Sequence, residues 1–182
     1  MNIKTYDEEL VKTFSKAAYN AFSALKKNYK EQFYYYVFVF DLGLPYISAW
    51  SYEALEKTII NDKITDEEKN CFKWSCSDSP YVFYGYDEFF HEIQELLNKR
   101  DEELSNEDDE WDIRVNSMEE TMKRLDRSGL FGTGEERKNV VINVEIVPPD
   151  GSEYHRAIRL NEMSSVLSEY LKSCEDPEDE IE

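Results

Sequence analysis

The densest run of large apolar side chains, residues 33–42, reads Phe-Tyr-Tyr-Tyr-Val-Phe-Val-Phe-Asp-Leu. Aromatic and β-branched residues without Gly or Pro predict a strand. Its two alternating sets are both apolar: Phe33, Tyr35, Val37 and Val39 on one face, Tyr34, Tyr36, Phe38 and Phe40 on the other. Such a strand belongs in the middle of a sheet covered on both sides, and the run is too short for a bilayer-spanning helix. Upstream, Leu10, Phe14, Ala17, Ala21 and Leu25 recur at helical spacing and predict a helix over 7–29, with Lys26, Lys27 and Lys30 suiting its C-terminal end. Downstream, 41–45 predicts a turn around Gly43 and 46–50 a returning strand, hence a hairpin.

Residues 52–61 predict a short helix burying Leu55, Ile59 and Ile60, and Thr65 with Glu68 has the spacing of a capping box. A short strand is expected at 72–74, then turns as far as Pro80. Residues 87–104 predict a helix with acids in its first turn and an apolar stripe of Phe89, Phe90, Ile93, Leu96 and Leu97. Trp111, Val115, Met118, Met122 and Leu125 predict another, ending at Gly129. The stretch 101–112 reads as helix tail plus loop, and 130–136 as a loop. Val140, Ile142, Val144 and Ile146 alternate with Asn143 and Glu145, which predicts a strand over 140–147 with the polar pair outward. Pro148-Pro149-Asp150-Gly151 is a turn signature, 154–160 is expected to return as a strand, and Asn161 to cap a last helix over 163–172 that buries Val166, Leu167 and Tyr170. The sum is an α+β (or mixed α/β) fold, a single layered domain over 1–174 with a central, largely antiparallel sheet flanked by about five helices.

A chain of 182 residues with 41% hydrophobic and 14% aromatic content can build one sound core and is not a disordered polymer. Charge changes the picture more. Acids outnumber bases 40 to 21, for a net charge of −19. Residues 101–112 hold eight acids and no base, and 175–182, read as a disordered tail, hold six and no base. Without these two runs 26 acids face 21 bases, an ordinary balance. The acidity is therefore concentrated in patches, which disfavours nucleic acid and anionic membrane and favours a basic partner. No basic region followed by an apolar run opens the chain, so the sequence reads as cytoplasmic, with Cys71, Cys76 and Cys174 as reduced thiols.

Candidate chemistry is sparse. Gly132-Thr133-Gly134 lacks the preceding strand and following helix of a phosphate loop. Cys71, Cys76, His91 and His155 do not have the paired spacing of a zinc site. Asp78, Asp87 and Glu88 lie near Ser75, Ser77, Ser79 and His91, but no nucleophile motif ties them together, and turns and a helix N-terminus want the same residues. A pocket around Trp74, Asp78, Tyr81 and His91 is the one place where a hydrolase-like site would lie. Trp50, Trp74 and Trp111, with Tyr81, Phe83, Tyr84 and Tyr86, are more large rings than a small core readily holds, so some are expected at a rim or interface. No cofactor and no metal are expected.

The block Lys73-Trp74-Ser75-x-x-Asp78-x-Pro80-Tyr81 resembles the signature of a bacterial family, domain of unknown function 4303. The likeness continues through Ala49-Trp50-Ser51, Leu125-Asp126, Gly129-Leu130-Phe131-Gly132, Glu135-Glu136-Arg137, the strand at 140–147 and Arg159-Leu160-Asn161, and so runs along nearly the whole chain. Cys76 and Ser79 stand where members often carry Pro and Trp. The resemblance implies no catalytic residues. Small acidic bacterial proteins of this kind often occur as immunity proteins beside secreted toxins, many of them basic nucleases. Three functions follow as expectations. The first is a non-enzymatic immunity protein that binds a basic toxin domain through Asp101, Glu102, Glu103, Glu107, Asp108, Asp109, Glu110 and Asp112, with Trp111 as anchor. The second is a small hydrolase with its site near Trp74, Asp78 and His91. The third is a structural adaptor.

Overall fold

The computed structural model describes residues 6–103 and 107–174. Helix α1 (Glu8–Asn28) starts where Asp7 accepts the amides of Glu9 at 2.8 Å and Leu10 at 3.1 Å. Its apolar face lies on strand β1 (Phe33–Asp41), with Phe14 edge-on to Phe38 and Phe22 edge-on to Tyr36. Every side chain of β1 from Phe33 to Phe40 is buried, as an all-apolar strand requires. Strand β2 (Leu44–Ser51) returns antiparallel after a two-residue tip, Leu42-Gly43, and pairs Asp41 with Leu44. Strand β3 (Val141–Val147) lies on the other side of β1 and runs parallel to it, from Tyr35 opposite Val141 to Asp41 opposite Val147. The sheet order is β2-β1-β3.

Between β2 and β3 run α2 (Tyr52–Asp62), α3 (Asp66–Trp74), α4 (Tyr86–Phe89), α5 (His91–Glu103), α6 (Glu107–Arg127) and α7 (Gly134–Arg137), and α8 (Glu153–Leu160) and α9 (Ser165–Ser173) follow β3. That long crossover permits the parallel pairing. The α+β class holds, with one antiparallel and one parallel ladder rather than two hairpins. The fold depends on burial of both sheet faces: α1 and α6 cover Tyr36, Phe38 and Phe40, while Trp74 of α3 and Tyr170 of α9 cover Tyr35.

Several local expectations change. Residues 154–160 form α8, not a strand. Their alternation is equally a helical pattern in which Arg156, Ala157 and Leu160 are buried against β3 and α6. Residues 72–74 are the last turn of α3, which opens with the full Thr65–Glu68 capping box. The helix expected over 87–104 breaks at Phe90 into α4 and α5, and Leu104 lies outside the described residues. Gly85 starts α4 at φ +68°, where a Cβ would come within 2.7 Å of the Phe89 ring. Part of the loop at 130–136 belongs to α7. The cap of α9 is Ser164, which accepts the Leu167 amide at 3.1 Å. Ile60 faces solvent, and the acidic tail, 175–182, is outside the described residues.

A three-stranded sheet has two edges close to its centre: a loop segment, residues 75–79, is tied along β2, and side chains meet the outward backbone groups of β3. Along β2, the Ser48 hydroxyl donates to the Cys76 carbonyl at 2.7 Å, the Trp50 indole donates to the Ser75 carbonyl at 2.7 Å, and the Ser79 hydroxyl donates to the Ala49 carbonyl. Along β3, Asn161 pairs with Ile142 as a strand would. Its oxygen accepts the Ile142 amide at 3.0 Å and its nitrogen donates to the Ile142 carbonyl at 2.8 Å. Arg156 donates to the next outward carbonyl, Val144, at 2.7 Å.

Candidate functional site

The acidic stretch divides into an inward and an outward set. Glu110 is buried on α6 and accepts Arg100 Nε at 2.7 Å, Arg100 Nη2 at 2.8 Å and Arg114 Nε at 2.8 Å. Burial pushes its carboxyl up, but the hydrogen bonds and charges of the two guanidiniums outweigh that and hold it below the usual range. Arg114 also reaches Asp101 at 2.5 Å, and Arg100 reaches Asp7 at 3.1 Å. Asp101 and Glu110 thus tie α5 to α6, and the Arg100–Asp7 pair ties α5 to the start of α1. Glu102, Glu103, Asp109 and Asp112 are exposed, and the side chains of Glu107 and Asp108 lie outside the described set.

Next to Asp112 on α6 stands an exposed aromatic side chain. Trp111 is 37% exposed and leans on Phe40 with ring centroids 4.7 Å apart. Two residues beyond Phe40 the hairpin tip presents Leu42, 82% exposed, and Leu44, 48% exposed. Leu42 sits at φ +47° and Gly43 at φ +92°. A two-residue tip with both φ values positive favours Asn-Gly or Asp-Gly, so a bulky leucine here is strained as well as exposed.

A second site lies on the opposite face of the sheet. In the β1–β3 register Val37 is opposite Asn143 and Val39 opposite Glu145, so Tyr35, Asn143 and Glu145 share one covered face. The Tyr35 hydroxyl donates to Glu145, and the Tyr170 hydroxyl donates to the same oxygen, Oε1, at 3.0 Å. Asn143 in turn donates to Tyr170 at 2.8 Å. Burial pushes the Glu145 carboxyl up in spite of hydrogen bonds from Tyr35, Cys76 and Tyr170. Burial also raises the Cys76 thiol well above its ordinary range and that of Cys174 to about 11. Glu145 forms part of the wall of a cavity of about 190 Å³ that is also bounded by Cys71, Trp74, Pro149, Glu153 and Tyr170.

Of the residues expected to form a hydrolase-like pocket, Trp74 bounds this cavity and the others lie elsewhere. Asp78 accepts the Ser75 hydroxyl at 2.6 Å in the segment along β2. Tyr81 is buried against Tyr29 and Phe33 and donates to Glu31 at 2.5 Å. His91 is exposed at the start of α5, 3.5 Å from Glu95. Gly132-Thr133-Gly134 borders a groove in which Arg137 is held by Asp126, Lys138 by Glu135 and Arg159 by Glu119. Among the described residues no group of three or more His, Cys, Asp or Glu side chains could hold a metal ion, and no helix is long and apolar enough to cross a membrane.

Glu145 was hidden by the strand pattern, since alternation assigns Asn143 and Glu145 to solvent. The signal that reveals them is β1 itself: a central strand apolar on both faces implies a cover over both, and the cover extends to its neighbour.

No curated protein and no solved structure matches the chain. The model of a family described as a domain of unknown function, DUF4303, matches residues 11–162, from α1 through the asparagine that closes the β3 edge, and the chain belongs to that family.

Proposed function

We propose that the protein is a non-catalytic binder of a basic protein in the bacterial cytoplasm, and that it acts as an immunity protein occluding a secreted, nuclease-type toxin domain. The observation that carries this reading is Leu42. A leucine in the left-handed region costs the fold about 1–2 kcal/mol, and at 82% exposure its packing returns little. Beside it stand exposed Leu44 and Trp111, and the exposed carboxylates Glu102, Glu103 and Asp112 make no ion pair among the described residues. An apolar centre beside uncompensated acids is the complement of a basic surface with an apolar contact point, where the charges steer encounter and the apolar groups hold the complex.

The test is capture from host extract by tagged protein, at low and high salt, with the wild type and with a Glu102→Gln, Glu103→Gln, Asp112→Asn variant. A single basic protein retained by the wild type, released by salt and retained poorly by the variant, supports the reading. That protein should also lose its toxic activity when mixed with the wild type. Equal retention by both forms, or capture restricted to acidic proteins, overturns it.

A further inference from the structure

We infer that the cavity around Glu145 is a binding site for a small organic cation, a primary ammonium or guanidinium group on a short apolar stem. The cavity is bounded by two carboxylates, Glu145 within and Glu153 beside it, and neither has an ion-pair partner among the described residues. The basic groups nearby are committed elsewhere. Arg156 donates to the Val144 carbonyl and to Ser152, and reaches Asp150 at 3.5 Å. Lys73 lies over the Trp74 ring at 5.2 Å and pairs with Glu169 at 2.5 Å.

The Glu145 carboxylate is already oriented. Tyr35 and Tyr170 both donate to Oε1, and Asn143 fixes Tyr170. An incoming cation therefore meets a positioned acceptor and does not have to order one. The rest of the wall suits the remainder of such a ligand, since Ile146 and Pro149 offer apolar surface to a stem and Tyr170 and Trp74 offer aromatic rings that favour a cation. Size narrows the class. A cavity of about 190 Å³ is smaller than the clefts that hold drug-sized ligands and suits a single charged group on a short stem. An anion would face two like charges. An uncharged apolar molecule would strip water from Glu145 without replacing it.

The same chemistry could arrive as a free metabolite or as the lysine or arginine side chain of a protein, and the experiment separates the two. Isotopically labelled protein is titrated with butylammonium and with methylguanidinium, followed by amide chemical shifts, with butanol and butyrate as controls. The expected result is a saturable shift confined to residues 70–75, 145–153 and 170–174 for the cations and absent for both controls. Glu145→Gln should weaken the binding at least about tenfold, because the charge-assisted hydrogen bond is lost. Glu153→Gln has a milder expected effect, about threefold, and keeps the test open should the first variant fail to fold.

Tight binding of a free amine identifies a metabolite site. If free amines bind only weakly but acetyl-lysinamide competes with a protein partner, the source is a side chain. No saturable shift with either cation up to about 50 mM, or an equal response to butanol, overturns the inference.

Discussion

Replacing Leu42 with Asn separates what the hairpin tip does for the fold from what it does for a partner. Leucine at φ +47° carries a backbone penalty of about 1–2 kcal/mol, most of which asparagine avoids because it tolerates the left-handed region. Against that stands lost burial. A fully buried leucine side chain is worth about 1.5–3 kcal/mol, and less than a fifth of Leu42 is covered, so the loss is about 0.4 kcal/mol. The net expectation is a gain of about 0.5–1 kcal/mol, seen as a higher urea midpoint at unchanged slope and a melting temperature raised by about 2 °C for a chain of this size. The same substitution removes the most exposed apolar side chain of the proposed contact surface, so the partner should bind about tenfold more weakly, the equivalent of 1.4 kcal/mol. Stability up and binding down is a combination that a purely structural leucine cannot produce. A free energy of unfolding lowered by more than about 0.5 kcal/mol would show that Leu42 packs into the fold and would refute the strain argument. Unchanged affinity would remove the tip from the contact surface.

Substitutions at Asn161, Glu110 and Glu145 test the hydrogen bonds and ion pairs inside the fold. Asn161→Ala strips partners from both the amide and the carbonyl of Ile142 and should cost about 2–4 kcal/mol by urea denaturation, while Asn161→Asp, which can still accept but no longer donate, should fall between. Glu110→Ala leaves Arg100 and Arg114 facing each other without their shared carboxylate and should cost about 3–5 kcal/mol, whereas Glu102→Ala at the exposed end of α5 should leave the midpoint unchanged. Glu145 should make stability fall as pH rises: its folded pKa lies above the ordinary 4.5, so its contribution is fully present below that value and is lost as the pH climbs through the folded pKa. The difference in stability between Glu145→Gln and the wild type should therefore grow in favour of the variant from pH 4.5 upward, and a flat difference would mean that the carboxylate titrates normally.

The all-apolar run at 33–40 placed β1 in the centre of the sheet from sequence alone, because no other location satisfies both of its faces. The helices α1 and α6 were equally legible, each carrying a long stripe at helical spacing. What could not be read was decided by tertiary partners. The short stretch 154–160 fits both a strand and a helix, and only the burial of Arg156, with its guanidinium on the Val144 carbonyl, decides for α8. Residues 72–74 carry strand-forming rings, yet the capping box at Thr65 sets a helix that runs through to Trp74.

The two candidate sites differ in legibility for the same physical reason. Exposed charge is visible in composition, so the acidic stretch at 101–112 stands out, although composition alone does not separate Glu110, spent inside on two arginines, from Glu102 and Glu103, which face water. A buried carboxylate is invisible to a local pattern. Glu145 looks like any outward residue of a half-solvated strand until β1 is taken into account. Once that strand is known to be covered on both faces, each polar residue facing the same way on a paired strand must either be hydrogen-bonded under the cover or border an opening in it. Asn143 meets the first condition through Tyr170. Glu145 meets both, held by two tyrosines and open to a cavity, and so this single carboxylate on β3 carries a chemical expectation that its neighbours do not.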